Sequence, residues 1–254
     1  MQRGYMVGRS HTREGSVRGL ADPTDARSNC GVGVVMDLDD GSDRSVVADA
    51  LELLMNLEHR GALGAEEDTG DGAGIVVQTP HDFFAAELDV ELPDTYAIGT
   101  LFLPQNETAR ADLKGLFEAR LGEEGLSVLG WRSVPTENDG LGETALDSEP
   151  HVAHAVVVPE GECETEEFDR RLYVGRRAVE NAIGEREPEG GDRFYVCSLD
   201  RQTIVYKGLL TASQLPEYYP DLRDERFGSA FAMVHARFST NTLGACISPI
   251  PTAR

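Results

Sequence analysis

Lysine is nearly missing from this chain. Lys114 and Lys207 are the two examples among 23 basic residues, against 45 acidic ones, for a net charge of −22. A surplus of carboxylates on this scale argues against a nucleic-acid partner, which would demand the opposite sign. Many carboxylates with few lysines point to a halophilic protein, in which salt screens long-range repulsion. An ordinary acidic protein is the alternative. Long apolar runs are also lacking. None approaches the ~20 residues that cross a bilayer, and residues 1–29 lack the apolar centre of a signal peptide. The expectation is a cytoplasmic protein with no membrane partner. Cysteine is scarce: Cys30, Cys163, Cys197 and Cys246 form no CxxC pair and no zinc spacing with the six histidines. A disulfide framework and a metal site are thereby disfavoured.

What is present suits a folded domain. The 254 residues are 40% hydrophobic, enough for one large core or two small ones. Residues 1–29 stand apart, with five arginines against Glu14, Asp22 and Asp25. They carry neither helical nor strand periodicity. Residues 31–38 read as a strand. A helix is expected over 45–59, with Val47, Leu51, Leu54 and Leu57 on one face, Asp43 as N-cap and Gly61 as stop. A Gly/Asp-rich loop leads into a strand at 75–78. Residues 95–158 read as strand, helix, strand, acidic loop (137–149) and strand, a βαβ unit inserted at about 90–160. His151 and His154 are expected to alternate outward there. A helix over 165–183, a hairpin of strands 194–199 and 203–206, and a strand over 230–238 complete the pattern.

Cys30 precedes a small-residue strand, with Gly31 and Gly33 on either side of Val32. Taken alone, these residues fit a buried structural cysteine as well as a reactive one. The loop Gly70-Asp71-Gly72-Ala73-Gly74 lacks the Gly-Lys-Ser/Thr ending of a phosphate loop. It reads as a tight turn packed beside the Cys30 strand. The wider ordered series is more specific. Ser28-Asn29-Cys30-Gly31-Val32-Gly33 is followed by Leu57-Glu58-His59-Arg60-Gly61-Ala62 and Asp68-Thr69-Gly70-Asp71-Gly72-Ala73-Gly74. Then come Arg171-Leu172-Tyr173, Ile204-Val205-Tyr206-Lys207-Gly208, Tyr219-Pro220-Asp221-Leu222 and Val234-His235-Ala236-Arg237-Phe238-Ser239-Thr240-Asn241-Thr242. This series resembles the glutamine amidotransferase type-2 domain of glutamate synthase.

The resemblance implies an α+β fold, the N-terminal-nucleophile (Ntn) hydrolase αββα sandwich, here incomplete. It implies that residues 1–29 are a leader, cut before Cys30, and that 30–245 is a partial amidotransferase domain. Freed by that cut, the α-amino group of Cys30 becomes general base for its own thiol. Ordinary values of about 8 for the amine and about 8.5 for the thiol suit that transfer. The implied substrate is glutamine, hydrolysed to glutamate and ammonia through a thioester, with the ammonia passed to 2-oxoglutarate. Arg237 is implied to grip the substrate carboxylate with its guanidinium fork, with Ser239 and Thr240 lining the same pocket. His59, Arg60, Gly61, Gly31, Gly33, Asp71, Gly72 and Gly74 are expected as structural residues nearby, with His59 capping a helix end. No cofactor is expected on this chain. FMN and an iron–sulfur cluster belong to later synthase domains in the resembled family. The expected partners are those domains or a complementary fragment.

From Cys246 to Arg254 the sequence departs from the family, as loss of one base from the reading frame would produce. The Asn-Gly pair that forms the family's oxyanion hole is not found in the chain. A catalytically silent fragment is therefore an alternative reading. Another is a different class II amidotransferase, making an amino sugar, asparagine or a purine precursor.

Overall fold

The computed structural model describes residues 31–38, 41–58 and 68–236. In chain order the elements are β1 (Gly31–Met36), α1 (Arg44–Asn56), β2 (Ala73–Gln78), α2 (His81–Glu87), β3 (Ala97–Leu103), α3 (Glu107–Glu123), β4 (Leu126–Ser133) and α4 (Glu143–Asp147). They continue with β5 (His151–Pro159), α5 (Thr165–Arg186), β6 (Tyr195–Asp200), β7 (Thr203–Gly208), α6 (Gln214–Tyr218) and β8 (Phe231–Ala236). Two four-stranded antiparallel sheets result, ordered β1-β8-β2-β7 and β4-β5-β3-β6.

The first helix forms where its apolar face predicts. Val46, Val47, Ala50, Leu51 and Leu54 are buried on one side, the spacing of a single helical face. Asp43 caps it, its carboxylate accepting from the Ser45 amide at 2.6 Å. That bond holds the Asp43 carboxyl below its ordinary range. The helix ends at Asn56, three residues earlier than expected. The expected stop at Gly61 lies outside the described residues.

α1 packs on the face of the first sheet that carries Gly33 and Val234. A Cβ at Gly33 would lie 2.4 Å from Leu53 Cδ2, so glycine sets the closeness of helix to strand. The opposite face carries Val32, Val34, Met36 and Met233, which are 58%, 53%, 56% and 40% exposed.

The 90–160 stretch supplies three of the four strands of the second sheet. β3 and β4 both run antiparallel to β5, which lies between them, so the expected βαβ unit is present in split form. Its helix, α3, packs with α5 on one face of the sheet. Phe117, Leu121, Leu126, Phe168, Leu172 and Val179 fill the space between. The other face contributes Ile98, Phe102, Val152 and Val156 to a second core. That core also takes in α1, β2, β7 and β8. One core therefore joins the two sheets.

Two expectations change. The strands at 194–199 and 203–206 do not form a hairpin ladder. β6 pairs with β3, and β7 pairs with β2 in the other sheet. The reversal is tight, because Asp200 accepts from the amides of Gln202 and Thr203 at 2.8 and 2.7 Å. It therefore swings the chain from one sheet to the other. His154 does not point outward. It is fully buried, with Phe84 and Tyr206 edge-on to its ring. Burial, with Arg132 nearby, drives its pKa well below the ordinary histidine value. One face of β5 packs under α3 and α5 and the other joins the core shared with the first sheet, so alternation leaves no outward side.

Candidate active site

β1 and β8 are neighbours, and their register sets the site. Gly31 pairs with Ala236, Val32 with His235 and Gly33 with Val234. β2 continues the rows: Ala73 pairs with Ala236 and Gly208, and Gly74 pairs with His235 and Lys207. Two rows thus cross this end of the sheet: Gly31, Ala236, Ala73 and Gly208, then Val32, His235, Gly74 and Lys207.

Cys30, Arg237, Ser239, Thr240, His59, Arg60 and Gly61 lie outside the described residues. The chain still ties two of them to the rows. Cys30 is the covalent neighbour of Gly31, and Arg237 that of Ala236. Of the remaining expected residues, Gly31 opens β1 and is buried, while Gly33 receives α1. Gly72 has φ of 122°, open to glycine and strained for other residues. The loop before β2 is tight: a Cβ at Gly70 would lie 2.3 Å from the Leu210 carbonyl oxygen. It reaches the same end of the sheet as β1 but is not beside it. β8 intervenes, because both β1 and β2 pair with β8. Asp71 is part-exposed at this end.

Two residues not singled out from the sequence share the second row. His235 is partly buried, and burial lowers its pKa. Lys207 is 5% exposed and lies over the Tyr195 ring, 4.1 Å from its centroid. Its carbonyl accepts from the Tyr219 hydroxyl at 2.8 Å. The signal for His235 was its place in the same short motif as Arg237, two residues before it. Lys207 gave no such signal, since its burial comes from β6 of the other sheet.

The surrounding loops are held by Gln214, whose amide nitrogen donates to the carbonyls of Asp68 and Gly140 at 2.9 and 2.7 Å. Its side-chain oxygen accepts from the Thr211 amide at 2.8 Å. This one side chain ties the loop before β2 to the segments at 140 and 211.

A family model described as glutamine amidotransferases class-II matches residues 30–247. The chain belongs to the class-II glutamine amidotransferases. This class has the Ntn-hydrolase fold, in keeping with the two antiparallel sheets and the helices packed on them. The amidotransferase is similar to the glutamate synthase [NADPH] large chain of Bacillus subtilis, 42% identical over 229 residues. That match covers 89% of this chain and 15% of the relative. It is similar also to ferredoxin-dependent glutamate synthase 1 of Arabidopsis thaliana, at 39% over 231 residues, covering 89% of this chain and 14% of that protein. Glutamate synthase [NADH] of Saccharomyces cerevisiae is 40% identical over 240 residues, 89% of this chain and 11% of that protein. The amidotransferase thus spans 11–15% of the length of these relatives.

Proposed function

We propose that this chain is the glutaminase portion of a glutamate synthase, with Cys30 as nucleophile. The observation that carries the reading is the pairing of Gly31 with Ala236. Paired Cα atoms across an antiparallel ladder are at most about 5.5 Å apart. Gly31 and Ala236 are the chain neighbours of Cys30 and Arg237. A thiol and a carboxylate-gripping guanidinium next to paired residues suit the two ends of one glutamine.

The chemistry closes without a co-reactant beyond water. The thiol gives its proton to the freed α-amino group of Cys30. The thiolate attacks the side-chain amide carbon of glutamine. The C–N bond breaks, and ammonia leaves with the proton. Water then adds to the thioester, releasing glutamate and restoring the thiol. Arg237 holds the substrate's α-carboxylate, and Ser239 and Thr240 line its pocket. A leader ending at Asn29 must first be removed, because a peptide nitrogen cannot act as the base.

The ammonia is delivered to 2-oxoglutarate on later synthase domains, which carry FMN and an iron–sulfur cluster. Among the described residues no group of three or more His, Cys, Asp or Glu is arranged to hold a metal. No step on these residues runs through either group. Relatives named for NADPH, ferredoxin and NADH match this chain at 39–42%, so the electron donor is a property of their other parts. The exposed face of Val32, Val34, Met36 and Met233 suits coverage by further polypeptide of the longer protein. Adaptation to high salt, supported by the charge of −22 and the two lysines, completes the reading, together with a cytoplasmic location.

The test is labelling with 6-diazo-5-oxo-norleucine, a glutamine-analogue electrophile, read by intact mass. One adduct on a chain that begins at Cys30 is expected, with none on Cys30→Ala. A chain that keeps its leader yet releases ammonia from glutamine would refute the mechanism.

A further inference from the structure

Gly31, Ala73 and Ala236 stand at one end of the first sheet, and Met36, Gln78 and Phe231 at the other. A cleft of about 890 Å³ opens at that other end, with Gln78, Phe231, Arg44 and Thr79 in its lining. Small-molecule sites occupy about 300–1,000 Å³. The wall of the cleft is braced. Asp43 and Ser229 exchange backbone hydrogen bonds of 3.2 and 3.1 Å. The Gln78 amide donates to the Ser229 hydroxyl at 3.0 Å, and the Gln78 side-chain oxygen accepts from the Ala230 amide at 2.8 Å. Arg44 and Thr79 directly follow Asp43 and Gln78, so one clamp fixes both. Each carries an atom with nothing to bond. Arg44 Nη2 donates to the Leu222 carbonyl at 2.8 Å, but Arg44 Nη1 and Thr79 Oγ1 are buried without a hydrogen-bond partner. Such groups cost stability until something completes them. The other arginines of the cleft are already engaged. Arg201 meets Asp169 at 3.2 Å, and Arg226 meets Asp224 and Glu87 at 2.6 and 2.7 Å. Asp224, the acid that feels the Arg44 charge, is thereby taken. Arg44 is left without an ion pair among the described residues.

We propose that this cleft is a ligand site that takes the carboxylate of a small organic acid on Arg44 and Thr79. The guanidinium supplies a charge-assisted hydrogen bond through Nη1, and the threonine hydroxyl donates a second. Both residues are only part-buried. One side-chain rotation therefore turns either atom to the cleft while the braced backbone stays in place. Asp82, Asp94 and Glu225 line the same cleft. They favour a ligand with a single negative charge over phosphate or another polyanion, which they repel.

The test is an amide-shift titration of the full, isotope-labelled chain with sodium propionate, at an ionic strength held constant with potassium chloride. Saturable shifts are expected at Arg44, Thr79 and Ser229. Arg44→Gln should weaken propionate binding about tenfold or more, the scale of one hydrogen bond to a charge. Thr79→Val should weaken it about threefold, the scale of a neutral hydrogen bond. Its thermal midpoint should be no lower than that of the wild type, because the lost hydroxyl had no partner. Thr79→Val therefore decides the matter if Arg44→Gln does not fold. Phosphate should not displace propionate. Shifts that never saturate, unchanged affinity in either variant, a lower midpoint for Thr79→Val, or displacement by phosphate would each overturn the proposal. The glutaminase reading stands or falls separately, on the labelling of Cys30.

Discussion

The Asp221 carboxylate accepts from both terminal nitrogens of Arg132, at 2.7 and 2.8 Å. It also accepts from the Tyr206 hydroxyl at 2.8 Å. All three side chains are buried or nearly so. Burial, and then the Asp221 charge, push the Tyr206 pKa well above its ordinary value. Removing one partner of a buried pair leaves the other charge uncompensated, at about 3–5 kcal/mol. Asp221→Ala should lower the unfolding free energy by that amount, read as a lower denaturant midpoint at unchanged slope, whereas Tyr206→Phe, losing one hydrogen bond to a charge, should cost about 1.5–3 kcal/mol. Equal effects from the two would show that the ion pair is not the dominant part. His151 offers a pH readout. Burial, then Arg110 and Lys114, lower its pKa to about 4. The folded chain thus favours the neutral ring. The corresponding stability is complete above about pH 6.5, the unfolded value, and is lost as pH falls toward 4. His151→Asn should flatten the dependence of unfolding free energy on pH in that window. A slope as steep as the wild type would show that other groups govern it.

At the scale of elements, the contact between β1 and α1 depends on one missing side chain. Gly33→Ala would set a methyl 2.4 Å from Leu53 Cδ2 and 3.4 Å from Val234 Cγ2. Overpacking of this kind costs about 1–3 kcal/mol. Because the first clash is with the end of a flexible side chain, Leu53→Ala should relieve it. The double variant should then be less destabilised than the sum of the singles, by about 0.5–3 kcal/mol in a mutant cycle. Strict additivity would mean that the strand shifts instead of the leucine. The same interface bears on function. β1 carries the neighbour of Cys30, so a displaced strand should slow labelling even where the fold survives.

For the whole molecule, charge is the dominant variable. A net charge of −22 makes the compact state repel itself, and salt screens that repulsion over about 10 Å at 0.1 M and about 3 Å at 1 M. The thermal midpoint should therefore rise steadily as potassium chloride is raised from tens of millimolar to molar. A flat response would remove the support for salt adaptation. The surface ion pairs would oppose this trend only weakly. Pairs such as Arg226 with Asp224 and Glu87 are partly exposed, and such pairs contribute at most about 1 kcal/mol each.

The sequence by itself determined most of the element types, and through its ordered motifs it showed the family to which the chain belongs. Helical spacing in α1, the Asp43 cap, the apolar strands and the ordered motifs around Cys30 and Arg237 are local patterns, and local patterns are written in neighbouring residues. Tertiary structure decided what those elements meet. β6 and β7 are two residues apart yet join different sheets, because their pairing partners, β3 and β2, come from distant parts of the chain. His154 reads as an exposed alternating position until Phe84 and Tyr206, brought in from α2 and from β7 of the other sheet, close over its ring. His235 and Lys207 enter one row with Val32 only through register, which depends on which strands pair and carries no mark in any single segment.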